Sequence, residues 1–225
     1  MRTLFDVELD KITDDIRVLG ERAGQANARA IKALLAGDYA EAREVKRSDR
    51  TTDELRYEVE NACLVLIATQ QPVARDLRRL VAATLVAVEL ERCGDYAKGV
   101  AKAARRISRA NTAIKPYNLV ELEAHARSML ERVVNAFLAV DVPAAWQVIA
   151  DDRKQDEMYD ELQASVNADM KSGALSIESG TWLLHAGHSL ERFADRTTNI
   201  AERVIFVDSG AHSTYARPSN GKAQK

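Results

Sequence analysis

The chain has 225 residues, enough for one large domain or two small ones, with 32 Lys and Arg against 34 Asp and Glu for a net charge of −2. Ten glycines, four prolines and 5% aromatics disfavour strand-and-turn architectures and favour long helices, while 29% charged against 46% hydrophobic residues excludes wholesale disorder and a membrane-embedded chain. A nearly balanced charge removes the electrostatic basis for a dedicated nucleic-acid binder.

Asp6, Glu8 and Asp10 stand where a secretory signal would carry its apolar region, so a cytoplasmic protein is expected. From Phe5 the apolar positions step through Leu9, Ile12, Ile16, Leu19, Ala23, Ala26, Ala30 and Ala33, an alternating four-three spacing that predicts one long helix. Gly37-Asp38 ends it, with Asp38 as N-cap of the next. A second seam follows through Val45, Ser48, Thr52, Leu55, Val59, Ala62 and Leu66 until Gln70-Gln71-Pro72, and a third helix runs from about Val73 to Arg109. The longest uncharged stretch, residues 61–74, is too short to span a bilayer. Rods of about 45–55 Å joined by short connections must be antiparallel neighbours.

After residues 111–116 the same grammar returns. A shift of 103 places Asp49, Arg50, Asp53 and Glu54 on Asp152, Arg153, Asp156 and Glu157; a later shift of 100 places Leu90-Glu91-Arg92 and Asp95 on Leu190-Glu191-Arg192 and Asp195. Pro143 falls in the first turn of its helix, where its missing N–H costs least, and Gly173 marks a turn where about three residues were lost. The predicted fold is all-α: two tandem, pseudo-symmetric three-helix bundles of long antiparallel helices, six in all, over residues 1–113 and 114–209, with an aperiodic polar tail over 210–225.

In the third helix, Leu77, Val81, Thr84 and Val88 read as a core-facing stripe whose steps then land on Glu91 and Asp95. Ile177, Thr181, Leu184 and His188 lead likewise to Glu191 and Asp195. Asp49 with Asp53, and Asp152 with Asp156, lie beside the neighbouring seams. Two carboxylates about 6 Å apart at an effective dielectric near 20 repel by about 3 kcal/mol, so each cluster calls for a neutralising partner. Oxygen donors on facing helices suit a hard divalent or trivalent cation, and the duplication strengthens that reading. The competing reading pairs each acid at the surface with Arg92, Arg192 or another arginine.

His185, His188 and Glu191 step by three in a spacing able to ligate a transition metal, but the first unit carries Leu85 and Val88 at the matching positions, and no ExxH pattern of di-iron bundles occurs. His125 reads as an ordinary helix residue, and Cys63 and Cys93 as buried free thiols. Lys98, Lys102, Arg105, Arg106 and Arg109 close a helix, where cations complement the dipole and can serve as a docking surface. Gly94, Gly99, Gly180 and Gly187 inside helices point to close helix contacts.

Three segments carry a resemblance: Gln70-Gln71-Pro72-Val73-Ala74-Arg75-Asp76-Leu77-Arg78, Glu89-Leu90-Glu91-Arg92-Cys93-Gly94-Asp95-Tyr96, and Leu190-Glu191-Arg192-Phe193-Ala194-Asp195-Arg196-Thr197-Thr198-Asn199-Ile200-Ala201-Glu202. Over nearly its whole length the chain resembles the PhoU proteins, regulators of bacterial phosphate signalling. That family commonly has Ile-Gly between the Arg and Asp of the motif, whereas this chain has Cys93-Gly94 and Phe193-Ala194; the acids are intact. The resemblance implies multinuclear metal clusters (Fe, Mn, Mg or Zn) held by Glu91 and Asp95 and by Glu191 and Asp195, with the flanking aspartates as further ligands. It also implies a negative regulator without turnover, in which no residue is catalytic. Its expected partners are the phosphate transporter's ATPase subunit and a sensor histidine kinase, with homodimers, no nucleic acid, and membrane association only through partners. A carboxylate-bridged metal enzyme acting on oxygen or phosphate, and a metal-free helical interaction module, are the alternatives.

Overall fold

The computed structural model describes residues 4–48, 50–110 and 114–210, and among these every regular element is an α-helix. In chain order they are α1 (Leu4–Ala36), α2 (Tyr39–Ser48), α3 (Arg50–Gln70), α4 (Ala74–Arg109), α5 (Leu119–Ala139), α6 (Val142–Ser172) and α7 (Ile177–Ser209). The single second helix expected from the sequence corresponds to α2 and α3, which flank residue 49; that residue, like the tail after 210, lies outside the described residues.

The seams do what their spacing demands. Leu9, Ile12, Ile16, Leu19, Ala23, Ala30 and Ala33 of α1 are buried, as are Val45, Thr52, Leu55, Val59 and Leu66 of α2 and α3. They meet α4, so α1, α2, α3 and α4 form one bundle and α5, α6 and α7 the other; α4 packs on α7 and α1 on α5 to join them. Two apolar clusters fill the interior, and each draws on both repeats. One gathers Ile12, Ile16, Val59, Leu80, Met129 and Phe193; the other gathers Leu34, Val45, Ile107, Leu122, Leu162 and Leu190. The interior is thus divided by height along the rods, and neither repeat buries its apolar faces without the other.

The α1–α2 and α5–α6 turns are built alike. Asp38 Oδ1 accepts from the Glu41 amide at 2.9 Å, and Asp141 Oδ1 accepts from the Ala144 amide at 3.0 Å. The residue before each aspartate is left-handed: Gly37 at φ 63° and Val140 at φ 54°. A β-branched residue there clashes with its own backbone at a cost of roughly 1–2 kcal/mol. Val140→Gly relieves that strain but frees the unfolded chain and gives up half-buried apolar surface, so its net effect is expected within about 0.5 kcal/mol of zero; a loss of about 2 kcal/mol, read from the urea midpoint, would refute the strain.

The repeat becomes a pseudo-two-fold axis where α4 crosses α7. Cys93 and Phe193, matched by the shift of 100, meet each other, with Cys93 Sγ 3.8 Å from the Phe193 carbonyl oxygen. Self-contact of matched residues is what a two-fold axis requires. Either side of it the contacts are exchanged: Asn199 donates to Glu89 at 3.2 Å, and at the matched pair a Cβ on Gly99 would lie 2.7 Å from Ser189 Oγ. The helices approach closely there, as at Gly187, where a Cβ would sit 2.2 Å from Leu162 Cδ2 and 3.2 Å from the Tyr159 ring, so a larger residue would force these side chains to move. Cys63 and Cys93 are buried free thiols, and burial pushes both up in pKa.

One expectation is overturned. The stripe leading to Glu91 and Asp95 does not face the core: Leu77 and Val81 are 37% and 39% exposed, Thr84 and Val88 are only half-buried, and Ile177 on α7 is 75% exposed. The core face of α4 is Leu80, Ala83, Ala87, Leu90 and Ala97. Because α4 packs on α1, on α2 and α3, and on α7, it is apolar around most of its circumference, and spacing alone does not distinguish inner from outer rows.

Candidate metal centre

The acids therefore lie on the outer margins of the α3–α4 and α6–α7 contacts. On α4, Glu91 is half-buried and Asp95 is exposed, one turn apart. Burial raises the Glu91 carboxyl first, then the neighbouring charges of Asp95 and of Asp53 from α3. Asp49 lies outside the described residues, so this unit is represented by Asp53, Glu91 and Asp95.

The second unit is more tightly coupled. Asp152 on α6 is raised to about 6 by burial and then by Asp156, Asp195 and Glu191. Asp156 is raised by burial, then by Asp195; Glu191 by burial, then by Asp195. All four acids expected in this unit thus face one another across α6 and α7.

Three carboxylate oxygens, Asp53 Oδ1, Asp152 Oδ1 and Glu191 Oε2, are buried without a hydrogen-bond partner. His188 Nδ1 lies 3.1 Å from Glu191 Oε2, but out of line for a hydrogen bond. Buried acceptors of this kind cost about 1–3 kcal/mol each unless something fills the position, and a cation would do so. The donor set is all oxygen, suited to a hard metal. The acids are not yet gathered as a cage: among the described residues no three His, Cys, Asp or Glu side chains converge to hold a metal. Asp95 is held by Lys98, and Asp195 by Arg192 at 2.8 Å, so both ion pairs must open for those carboxylates to turn inward. The arginine-pairing alternative accounts for Asp195; at Glu91 Arg92 turns to Glu89 at 3.5 Å, and Arg56, whose charge reaches Glu91, is bonded to Glu60 at 2.7 Å.

The histidines behave as helix-surface residues. His185 stands beside Trp182, with ring centroids 5.6 Å apart, and is lowered by burial and then by Lys102; His188 tilts against Tyr159. His125 has a role its sequence context did not reveal: its Nδ1 lies 2.9 Å from Oε1 of the fully buried Gln155, whose Nε2 donates to the Leu122 carbonyl at 3.3 Å. Two more residues emerge only in three dimensions. Glu89 holds Arg196 at 3.3 Å and Asn199 at 3.2 Å across the pseudo-axis. Arg78, from the first motif segment, donates to the Val207 carbonyl at 3.1 Å and caps the end of α7 from the start of α4.

Among the described residues no helix is long and apolar enough to cross a membrane. The PhoU domain family model matches the chain twice, over residues 16–104 and 119–204. The chain is 32% identical over 215 residues to the phosphate-specific transport system accessory protein PhoU homolog of Caulobacter vibrioides, covering 95% of this chain and 94% of that protein. It is 29% identical over 209 residues to the Escherichia coli phosphate-specific transport system accessory protein PhoU, covering 92% and 86% of the two chains. The crystal structure of PhoU from Pseudomonas aeruginosa superposes with a TM-score of 0.86 at 25% identity, over 92% of this chain and 100% of that one. The crystal structure of the phosphate transport system regulatory protein PhoU from Streptococcus pneumoniae gives 0.85 at 28% identity, over 92% and 98%. With a doubled family match, an all-helical fold and two crystal structures of that fold, the chain belongs to the PhoU family.

Proposed function

We propose that this protein is a metal-binding cytoplasmic regulator of phosphate uptake and phosphate-starvation signalling. It acts without turnover as a negative-acting adaptor between the phosphate transporter's ATPase subunit and a sensor histidine kinase, as a homodimer that reaches the membrane only through those partners. Support for the regulatory role comes from its relatives, named as accessory to phosphate-specific transport. The observation that carries the metal is the set of orphaned oxygens on Asp53, Asp152 and Glu191 within mutually repelling acid clusters. Glu91 and Asp95 with Asp53 and Asp49 would hold metal in one unit, and Glu191 and Asp195 with Asp152 and Asp156 in the other. The metal would supply positive charge that fixes α3 against α4 and α6 against α7. Those are the outer faces that a docking partner meets.

The decisive experiment combines metal content with signalling. Protein purified without chelators or a metal-binding tag is expected to carry metal by elemental analysis, and the folded variant with alanine at Glu91, Asp95, Glu191 and Asp195 is expected to carry none. Deleting the gene under abundant phosphate should switch on a phosphate-starvation promoter, wild-type protein should silence it, and the four-alanine variant should rescue poorly. Equal metal in variant and wild type would refute the ligand assignment. An unchanged promoter, in a strain without a second copy, would refute the regulatory one.

A further inference from the structure

The helix end that reads in sequence as a solvated basic run forms, in three dimensions, one wall of a groove. Lys98, Lys102, Arg105, Arg106 and Arg109 of α4 meet Lys46 of α2 around a cavity of about 440 Å³, with Gly99 also in its lining and no carboxylate among the lining residues. That volume lies in the range of small-molecule sites. The protein as a whole carries a net charge of −2, so the cations crowded here are a local feature and not part of a generally basic chain.

Other residues fix the guanidinium groups in place. Tyr39 Oη accepts from Arg105 at 3.2 Å and from Arg109 at 2.9 Å, and this pairing lowers the Tyr39 pKa. On the opposite side, Lys102 and Arg106 stand 5.6 and 5.4 Å from the Trp182 ring of α7, within cation–π range. Arg105 Nε is buried without a hydrogen-bond partner. Lys98 is engaged by Asp95, which leaves five cations to serve the groove.

We propose that this groove binds a short chain of linked phosphates. From Lys102 to Arg109 the cations extend along about 10 Å of helix, longer than a single phosphate can engage. Planar guanidinium forks match the paired oxygens of successive phosphate groups, and lysines add point charge between them. The site is concave and carries cations on both sides, which suits a small polyanion better than a flat membrane surface. The inference is independent of the metal centre.

The test is titration calorimetry on the full chain, stripped of metal with EDTA, at physiological salt. Inorganic tripolyphosphate should bind saturably at one site, and orthophosphate and sulfate should bind at least about tenfold more weakly. The double variant K102Q/R106Q changes two exposed side chains and should weaken tripolyphosphate binding by about tenfold or more, with unchanged melting. K11Q/K154Q, exposed on α1 and α6, should bind like wild type. ATP binding as tightly as tripolyphosphate would assign a nucleoside-linked source, and weaker ATP binding a free inorganic chain; either supports the site. Three results overturn it: no saturation with tripolyphosphate, equal weakening in both double variants, or binding of phosphatidylglycerol vesicles or polyglutamate through these cations when tripolyphosphate does not bind.

Discussion

Replacing Glu89 by alanine is expected to destabilise the fold by about 3 kcal/mol, the largest effect of any single charged residue considered. Its side chain and that of Arg196 are only 15% and 12% exposed, and they meet at 3.3 Å across the α4–α7 crossing. The same carboxylate accepts from Asn199 and lies 3.5 Å from Arg92. Removing it leaves a largely buried guanidinium, whose Nε already lacks a partner, with only the Asp195 carboxylate at 3.9 Å, and the cost of that poorly paired charge exceeds the worth of the pair itself. Because the crossing joins the two repeats, the loss should appear as one cooperative shift of the whole chain. Urea unfolding should show a lower midpoint with unchanged slope, and melting should fall by roughly 6–12 °C. Glu89→Gln, which can still accept from Asn199, should lose less. A loss below about 1 kcal/mol for the alanine variant would show that the crossing is held by Phe193 and its apolar neighbours alone.

Glu89 opens the second motif segment, but its role at the crossing is not legible from sequence. Seams such as Leu9, Ile12, Ile16 and Leu19 are legible because each residue's neighbour is three or four positions away, and the structure buries all of them. Helix ends at Gly37-Asp38 and Asp141 are legible for the same reason. Glu89 meets partners 107 and 110 residues away, and Arg78 caps a carbonyl 129 residues away, distances over which periodicity carries no signal. The four paired motif acids, Glu91, Asp95, Glu191 and Asp195, could be found because duplication marked them. Their facing could not, since α4 is apolar on several sides and its exposed row looks like its buried one. Val140 hid a left-handed turn by replacing the glycine that would have advertised it. The basic groove was half legible: α4 displays its five cations in one run, but the concavity depends on Lys46 from α2 and the flanking Trp182 from α7.

The acid clusters should make the metal-free protein less stable at pH 7 than at pH 5, contrary to the common behaviour of carboxylates held in ion pairs. Asp152 titrates near 6 in the folded chain against 3.8 ordinarily, because burial and the charges of Asp156, Asp195 and Glu191 all oppose its ionisation. Below about pH 4 folded and unfolded chains are both protonated there, and the group is neutral in its effect. Between about 4 and 6 the folded chain keeps a proton that the unfolded chain has released, so stability falls as pH rises through that window and stays reduced above it. Glu91, Asp156 and Glu191 are raised in the same sense and add to the trend, and together they outweigh the single opposing contribution of His185, whose lowered pKa favours the folded chain as pH rises. Asp152→Asn removes the charge and should raise metal-free stability at pH 7 by about 1 kcal/mol, a value discounted for the solvent that reaches this half-buried site. The same substitution should weaken metal binding. Metal at about a hundred times its dissociation constant would stabilise wild type by about 2.7 kcal/mol at pH 7, and less at pH 5, where protons compete for the same oxygens. Wild type and Asp152→Asn would therefore exchange rank between EDTA and saturating metal. Unfolding curves for both proteins at the two pH values, with and without metal, check each sign. Wild type more stable at pH 7 than at pH 5 in EDTA, with Asp152→Asn no better than wild type, would mean that the cluster is already neutralised by Lys98, Arg192 and their neighbours and has no need of a cation.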